Sequence, residues 1–277
     1  MGIMKCAVHS SLQAKEAYAE HGEEAKEDAN LFNGKFFIDY VVRRAGRPCL
    51  DGTRRKRRLA VLIGKVGNAR PAYCRKTGAY TVDGWEVAGP NLSHETVVLS
   101  PLFSMEEKEH IFEVLEALKA DGFLPTDGFT IHMISDALSR QTVLNMCNIL
   151  QSRAELIARA LRLQEELRFI LSDDLAFTVM LDDFAVPETE ACLYLLRQSY
   201  GMAAATGKAR MKPCDGSNPK FQLRSWLLRL GFIGEEYERP RHTLLAGLEG
   251  DSAFFTESGK KRAQEKRREE KLLEWMA

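Results

Sequence analysis

His132 is the residue whose type and position first suggest chemistry, because it lies inside the apolar segment GFTIHMI at residues 128–134. Side chains alternate across a β-strand, so Thr130, His132 and Ile134 share one face and Ile131 and Met133 share the other. A histidine in this position is either a ligand that faces a cleft or a core residue that makes one hydrogen bond. The segment taken alone favours the core interpretation.

A second candidate is the basic run RRKRR at residues 54–58, which follows a predicted strand at 34–42 and is interpreted as part of a loop. Such a run can neutralise the phosphates of a nucleic acid or a nucleotide. A solvated surface run is favoured, because the chain has 39 Lys and Arg against 39 Asp and Glu and no aromatic residues interleave the run for base stacking. Nucleic acid is therefore not an expected partner.

Length and composition exclude several classes of protein. A chain of 277 residues with 45% hydrophobic and 28% charged residues has the composition of a globular protein with a sizeable core. No segment has the roughly 18 consecutive apolar residues that cross a bilayer, and residues 1–10 lack the apolar centre of a secretory signal. We expect a cytoplasmic protein with no membrane partner. The six cysteines are scattered without a CxxC pair, which predicts reduced thiols.

The common sequence motifs of nucleotide binding and of serine hydrolases do not occur in this chain. It has no GxxxxGK[ST] phosphate loop, no GxGxxG after a strand and no GxSxG turn. A P-loop fold, a dinucleotide-binding fold and an α/β-hydrolase are therefore not expected.

Periodicity and turn signals predict strands that alternate with helices. Asp83-Gly84 is a strong hairpin signal, and Ser104 with Glu107 forms a capping box for a helix that ends at Gly122. Further strands are predicted at 95–101, 128–134 and 175–181, and further helices at 139–171, as one helix that is kinked or divided, and at 187–201. The fold class is α+β, with a mostly antiparallel or mixed sheet, packed helices and a C-terminal helical module.

The same signals divide the chain into four predicted parts. These are an N-terminal helical extension at 1–30, an α+β core at 31–201, a linker at 202–218 and a C-terminal helical module with a charged helical tail at 219–277. The apolar end of the tail, with Leu272, Leu273 and Trp275, is predicted to dock on a partner or on the body of the protein.

The order of the segments resembles the amidoligase family. Its members are relatives of the ATP-dependent carboxylate-amine ligases of the glutamine synthetase and glutamate-cysteine ligase type, and they are frequent in bacteria, phages and mobile elements. The corresponding segments in that family read Trp-x-Val, Glu-x-Val-Ser-Pro, Gly-x-His-Val-His and Thr-x-Glu-Phe-Arg. Here WEV, LSP, GFTIHM and FTVML occur in the same order, over roughly residues 75–200. The resemblance implies a ligase-like core and a site for ATP and Mg²⁺.

The departures from the family pattern fall on its polar ligands. Val97 stands in place of a glutamate, Thr130 in place of the first histidine, Met180 and Asp182 in place of Glu and Arg on the last strand, and Pro90 in place of an acid. ATP in such sites is held through Mg²⁺, which prefers carboxylate oxygens, so valine and methionine cannot bind it. An Asp in place of an Arg also reverses the charge that would stabilise phosphate oxygens.

Other residues are candidates for a relocated site. His132 corresponds to the second histidine of the family pair, and we predict it as a catalytic residue together with Glu95, which is also the predicted metal ligand. Asp39, Glu86 and Arg57 are predicted to bind the cofactor. The alternative for the acids is simple solvation at the surface.

Three functions are compatible with these residues. The favoured one is a pseudoenzyme that binds an unknown protein or small-molecule partner and needs no cofactor. The second is an active ligase that forms amide (isopeptide) bonds with ATP and Mg²⁺, using rearranged ligands that include Glu95 and His132. The third is a nucleic-acid-binding protein that uses the basic run at 54–58 and the C-terminal module.

Overall fold

The computed structural model describes residues 35–44, 52–88, 97–134, 139–163, 169–171, 177–181, 184–212, 217–254 and 256–276. The predicted N-terminal helical extension at 1–30 lies outside these ranges, as do Pro90, Glu95 and Asp182. The described part is a mixed α/β fold with one antiparallel sheet and eight α-helices.

The sheet has eight strands, and each adjacent pair in it is antiparallel. The order across the sheet is β2-β3-β4-β5-β1-β6-β8-β7, so the long strands β1 and β6 lie near its centre. In chain order the strands are β1 (Lys35–Arg44), β2 (Ala72–Cys74), β3 (Ala79–Val82), β4 (Trp85–Ala88), β5 (Val97–Phe103), β6 (Phe123–Ile134), β7 (Phe169–Leu171) and β8 (Phe177–Leu181). The prediction of a mostly antiparallel sheet is confirmed.

The helices are distributed between the strands and the C-terminal part of the chain. They are α1 (Gly52–Val66), α2 (Lys108–Ala120), α3 (Arg140–Gln151), α4 (Ala154–Ala160), α5 (Val186–Ala205), α6 (Pro219–Arg229), α7 (Glu238–Ala246) and α8 (Glu257–Met276). A short 3₁₀ turn at Met105–Glu107 precedes α2. Among the described helices, none is long and apolar enough to cross a membrane.

Two local predictions, the hairpin at residues 83–84 and the capping box at Ser104, are confirmed together with the backbone geometry on which they depend. The hairpin between β3 and β4 turns at Asp83 and Gly84, whose φ angles of 50° and 73° are those of a type I′ turn. The capping box before α2 is present, because the Ser104 backbone N–H donates to the Glu107 carboxylate at 2.8 Å. Gly122 then ends the helix with a φ of 85°.

The prediction that residues 54–58 lie in a loop is wrong, because they form the first turns of α1. Arg and Lys have favourable helix propensity, and a run of positive charge does not by itself prevent a helix. The apolar residues that bury this helix, Leu59, Ala60 and Ile63, are each 0% exposed and come directly after the charged run.

Two boundaries around the other helices also differ from the sequence interpretation. The helix predicted at 139–171 as kinked or divided is indeed divided into α3 and α4, but its last residues form strand β7 instead. Arg162 has a φ of 56° just beyond α4, a left-handed conformation that no helix continues through. Helix α5 runs four residues beyond Gly201, where it was expected to close, because three alanines follow with high helix propensity.

One face of the sheet is covered by helices. A Cβ placed on Gly64 of α1 would lie 3.2 Å from a methyl group of Val82 on β3, so this side chain lies against the helix. Near the other end, the Phe129 ring of β6 contacts Phe184 at 5.6 Å, and Phe184 contacts Phe112 of α2 at 6.1 Å. Side chains alternate along each strand, so Thr130 and His132 belong to the opposite face.

The C-terminal helices α6 and α7 pack against α4, and α7 also packs against α5. Asn218 starts α6, because its side-chain oxygen accepts a hydrogen bond from the Phe221 backbone N–H at 3.2 Å. Leu223 and Leu227 of α6 and Leu244 of α7 are 0% exposed and belong to the same hydrophobic cluster as the sheet residues. The division of the chain into four parts stays a prediction.

Candidate functional site

The register of the sheet aligns several predicted site residues in one cross-strand row. Glu86 of β4 pairs with Ser100 of β5, and Thr130 of β6 pairs with Asp39 of β1 on one side and Met180 of β8 on the other. Strand β5 pairs with β1 at Leu99–Tyr40 and Leu102–Phe37, and this register places Ser100 beside Asp39. We call these five positions the Glu86 row. Two residues predicted to bind cofactor, Asp39 and Glu86, therefore share a row with two departures from the family pattern.

His132 lies one position further along the same side of β6, two residues from Thr130. This corresponds to a Cα separation of about 6 to 7 Å. Its register partners are Phe37 of β1 and Thr178 of β8, and the residue is 8% exposed. Burial of this extent is what the core interpretation of His132 expects.

Glu86 and His132 lie far apart across the sheet. Three strand spacings lie between β4 and β6, which amount to about 14 Å at the usual spacing between strands. Bonds to Mg²⁺ are about 2.0–2.1 Å long, and both side chains rise from the same sheet. These two residues therefore do not converge on a single ion.

The β6 and β8 positions of the Glu86 row do not provide the ligands that a Mg²⁺–ATP site prefers. Thr130 and Met180, both half-buried, bring one hydroxyl and one thioether to adjacent strands. Mg²⁺ requires hard oxygen ligands in octahedral geometry, and a thioether suits soft metals instead. In the part of the chain that the structure describes, no group of three or more His, Cys, Asp or Glu residues is placed to hold a metal ion.

Arg57, another residue predicted to bind cofactor, is not brought to this row. Arg57 is exposed on α1, which packs on the helix-covered face, so the sheet separates it from Glu86. Glu95 falls in the undescribed segment between β4 and β5. The roles predicted for Arg57 and Glu95 stay predictions.

A second polar cluster lies between α2 and α5, and the sequence interpretation did not find it. The Lys108 ammonium group contacts the carboxylate of Glu109, lies 3.8 Å from a carboxylate oxygen of Glu190 and lies 5.6 Å from the centre of the Tyr194 ring. Lys108 is 8% exposed.

Electrostatics keep Lys108 charged at neutral pH. Burial acts to lower its pKa, but the hydrogen bond with Glu109 and the nearby charges raise the pKa of Lys108 above its ordinary value overall. This lysine therefore acts as a cation that links α2 to Glu190 and Tyr194 of α5. The sequence does contain a signal that Lys108 is buried. This lysine occupies the first position of the apolar stripe that continues through Ile111, Phe112 and Leu115.

Comparisons with known proteins give a remote structural likeness. No family model matches the chain, and no curated protein matches it. Among solved structures, the chain is similar to one in the crystal structure of the complex between the prokaryotic ubiquitin-like protein Pup and its ligase PafA, with a TM-score of 0.36 and 8% sequence identity. The match covers 78% of this chain and 62% of that chain, so this chain spans less than two thirds of the length of its structural neighbour.

Proposed function

We propose that this protein is an amidoligase-like scaffold with a degenerate active site, which binds a small molecule or a protein partner on the Glu86 row and does not ligate it. The observation that carries the proposal is the sheet register, in which Thr130 and Met180 occupy adjacent positions of that row. In the family that the sequence resembles, these two segments carry polar ligands.

The chemistry of ligation supports the proposal. A carboxylate becomes an amide only after activation, which in such ligases proceeds through an acyl phosphate made from ATP with Mg²⁺. A thioether cannot replace a carboxylate ligand of that ion, and Glu86 lies about 14 Å from strand β6. The Thr130 and Met180 positions therefore lack the histidine and the carboxylate that the resembled family carries there.

The same row keeps groups that recognise a ligand. Glu86 offers a carboxylate acceptor, Thr130 a hydroxyl that donates and accepts, and Met180 an apolar, adaptable surface. A few polar groups on a largely apolar surface are typical of small-molecule and peptide sites. We propose a ligand that carries a hydrogen-bond donor or a positive charge toward Glu86.

The first experiment is isothermal titration calorimetry of a non-hydrolysable ATP analogue with and without Mg²⁺. The proposal expects no heat of binding that depends on Mg²⁺. Metal-dependent binding that disappears in Glu86→Gln would contradict it and would point to the enzyme. Glu113→Gln is the matched control, because Glu113 is exposed on α2, which packs on the other face of the sheet.

The alternative function is an active ATP- and Mg²⁺-dependent carboxylate-amine ligase. The specific observation in its favour is that Asp39 and Glu86 share one row, two strand spacings apart, with His132 on the next row. This function predicts that Glu95→Ala and His132→Ala each abolish ATP hydrolysis that depends on a carboxylate substrate. Retained hydrolysis in both folded variants would exclude that site assignment.

A further inference from the structure

We propose that α1 and the β2–β3 hairpin form a binding surface for single-stranded nucleic acid. We call it the basic–aromatic surface and define it by the exposed residues Arg57, Lys65, Arg70, Tyr73, Arg75 and Lys76. It lies on the helix-covered side of the sheet, so the proposal is independent of any ligand on the Glu86 row.

Charge is strongly concentrated in this part of a chain that is neutral as a whole. Residues 52–82 contain nine Lys and Arg and no Asp or Glu, whereas the full chain has 39 of each class. The nine are Arg54, Arg55, Lys56, Arg57, Arg58, Lys65, Arg70, Arg75 and Lys76. A local excess of this kind attracts a polyanion even when the net charge is zero.

The fold brings the two halves of this charge together. The Lys56 ammonium group donates to the carbonyl oxygen of Gly78 in the β2–β3 turn at 2.7 Å, and Gly64 of α1 packs against Val82 of β3. Helix α1 is thereby fixed along the hairpin. The basic groups of the helix and of the hairpin therefore belong to one continuous surface.

Structural contacts use only part of the charge. Lys56 is occupied by Gly78, and Arg58 forms an ion pair with Asp121 at 2.8 Å. Arg57 and Lys65 are exposed and lie eight residues apart on one row of α1, with Val61, 41% exposed, between them. These groups are placed to contact phosphates rather than to hold the fold together.

Aromatic rings lie beside the charge, although the sequence shows none inside the basic run. Tyr73 of β2 pairs with Tyr80 of β3, and their ring centres are 4.9 Å apart. Tyr73 is 51% exposed, and Tyr80 packs against the hydrophobic core, which supports the outer ring. Tyr73 is flanked along the chain by the exposed residues Arg70, Arg75 and Lys76, and an exposed tyrosine on a sheet edge next to basic residues is an arrangement on which unpaired bases stack. This ring distinguishes a nucleic acid from an acidic protein as the partner.

The test is fluorescence anisotropy of a labelled 20-nucleotide oligo(dT) with the full chain at 50 to 400 mM KCl. Five exposed basic groups predict a slope of log affinity against log salt of about −3 to −4, since each phosphate contact on a single strand contributes about 0.7. The double variant Arg75→Glu/Lys76→Glu should lose at least about 10-fold in affinity and flatten the slope by about 1.4.

Two further variants separate stacking from charge. Tyr73→Ala should lower affinity about 5-fold or more and leave the salt slope unchanged, because a stacked base is lost and no phosphate contact is. Lys261→Glu/Arg262→Glu on α8 is the matched control, since both residues are exposed and the change in charge is the same. It should bind like the unchanged chain.

Three results would overturn the proposal. One is no rise in anisotropy at 50 mM KCl, and another is an equal loss in the α8 control. The third is competition by polyglutamate as effective as that of unlabelled oligo(dT), together with unchanged affinity in Tyr73→Ala, which would identify an acidic protein as the partner. Circular dichroism of each variant establishes that it is folded.

Discussion

Asn145 fixes the path of a segment that has no regular secondary structure. The residue is 1% exposed on α3, and its side-chain nitrogen donates to the carbonyl oxygens of Ala203 at 3.2 Å and Thr206 at 2.5 Å. Its side-chain oxygen accepts from the Ala209 backbone N–H at 2.9 Å. One amide thus binds one backbone group in the last turn of α5 and two just beyond it, in a stretch predicted from sequence to be a linker.

Replacing Asn145 by alanine should destabilise the fold by about 1–3 kcal/mol, because buried backbone groups then lose their partners. The measurement is urea denaturation followed by circular dichroism. Leu144→Ala serves as the control on the same helix, because Leu144 is 44% exposed and its loss should cost far less. An equal cost for the two variants would show that the Asn145 hydrogen bonds do not hold the segment.

Cys192 makes the stability of the protein depend on alkaline pH. The residue is 1% exposed on α5, and burial raises the pKa of its thiol from 9.0 to about 12. In the unfolded chain the Cys192 thiol ionises near its ordinary pKa of 9.0. Between this pH and about 12, the folded state therefore keeps a proton that the unfolded state has lost. The stabilisation is complete below pH 9 and is lost as the pH rises from 9 toward 12.

We expect the free energy of unfolding to fall by up to about 1.4 kcal/mol per pH unit above pH 9 from this one group. Denaturant titrations at pH 8, 9 and 10 measure it. Cys192→Ala should flatten the dependence between pH 9 and 10, whereas Cys74→Ala, at the half-buried end of β2, should retain it. A steep fall that persists in Cys192→Ala would assign the effect to other groups.

The contact between α1 and the hairpin depends on a glycine. A Cβ on Gly64 would lie 2.4 Å from the carbonyl oxygen of Ala69 and 3.2 Å from Val82. The backbone of residue 69 cannot give way as a flexible side chain does. Gly64 therefore permits the close approach that fixes the helix to the sheet.

Gly64→Ala should destabilise the protein by about 1–3 kcal/mol, although alanine is the better helix former. Gly207→Ala is the control, because a Cβ there meets nothing within 4 Å and should leave stability unchanged or raise it by less than about 1 kcal/mol. Thermal unfolding of both variants measures the two changes in stability. A stabilised Gly64→Ala would mean that helix propensity outweighs the contact.

Local signals predicted some elements and not others. The Asp83-Gly84 hairpin and the Ser104 capping box depend on a few adjacent residues, so the sequence alone identified them. Helix α1 was missed because its charged turns resemble a loop until Leu59 and Ile63 are seen to be buried. Strand β7 was missed because three residues carry no period, and only pairing with β8 defines them.

The candidate site could be predicted only in part for a similar reason. The sequence identified Asp39, Glu86 and His132 as polar residues on separate strands. Their positions on the same row or on neighbouring rows of the sheet depend on long-range register. The Tyr73–Tyr80 pair was also invisible before the hairpin had a register, because seven residues separate the two rings along the chain. Spacing along the chain does not determine which strands are neighbours.

At the scale of the whole molecule, the sheet separates the two proposed binding surfaces. The Glu86 row lies on one face, and the basic–aromatic surface lies beside α1 on the other. The residues of the two surfaces share no partner in the described contacts, so changes at one should add to changes at the other without coupling.

We therefore expect Glu86→Gln to leave oligonucleotide affinity unchanged. The reciprocal variant, Arg75→Glu/Lys76→Glu, should leave any ligand binding on the Glu86 row unchanged within about 2-fold. When it is combined with Glu86→Gln, the two effects should add, with an interaction energy of no more than about 0.5 kcal/mol. Anisotropy and calorimetry on the single and combined variants measure both. A loss of oligonucleotide affinity in Glu86→Gln would show that the two faces communicate.

Strand β2, at one edge of the sheet that the described residues form, contains only three residues. An edge strand exposes unpaired backbone groups, and a long edge invites the strands of another molecule to extend the sheet. An edge as short as this offers few such groups, and Arg75 and Lys76 directly follow β2 with like charges that repel a second copy. At the β2 edge, the short strand and the adjacent positive charge therefore disfavour strand pairing with a second copy of the chain.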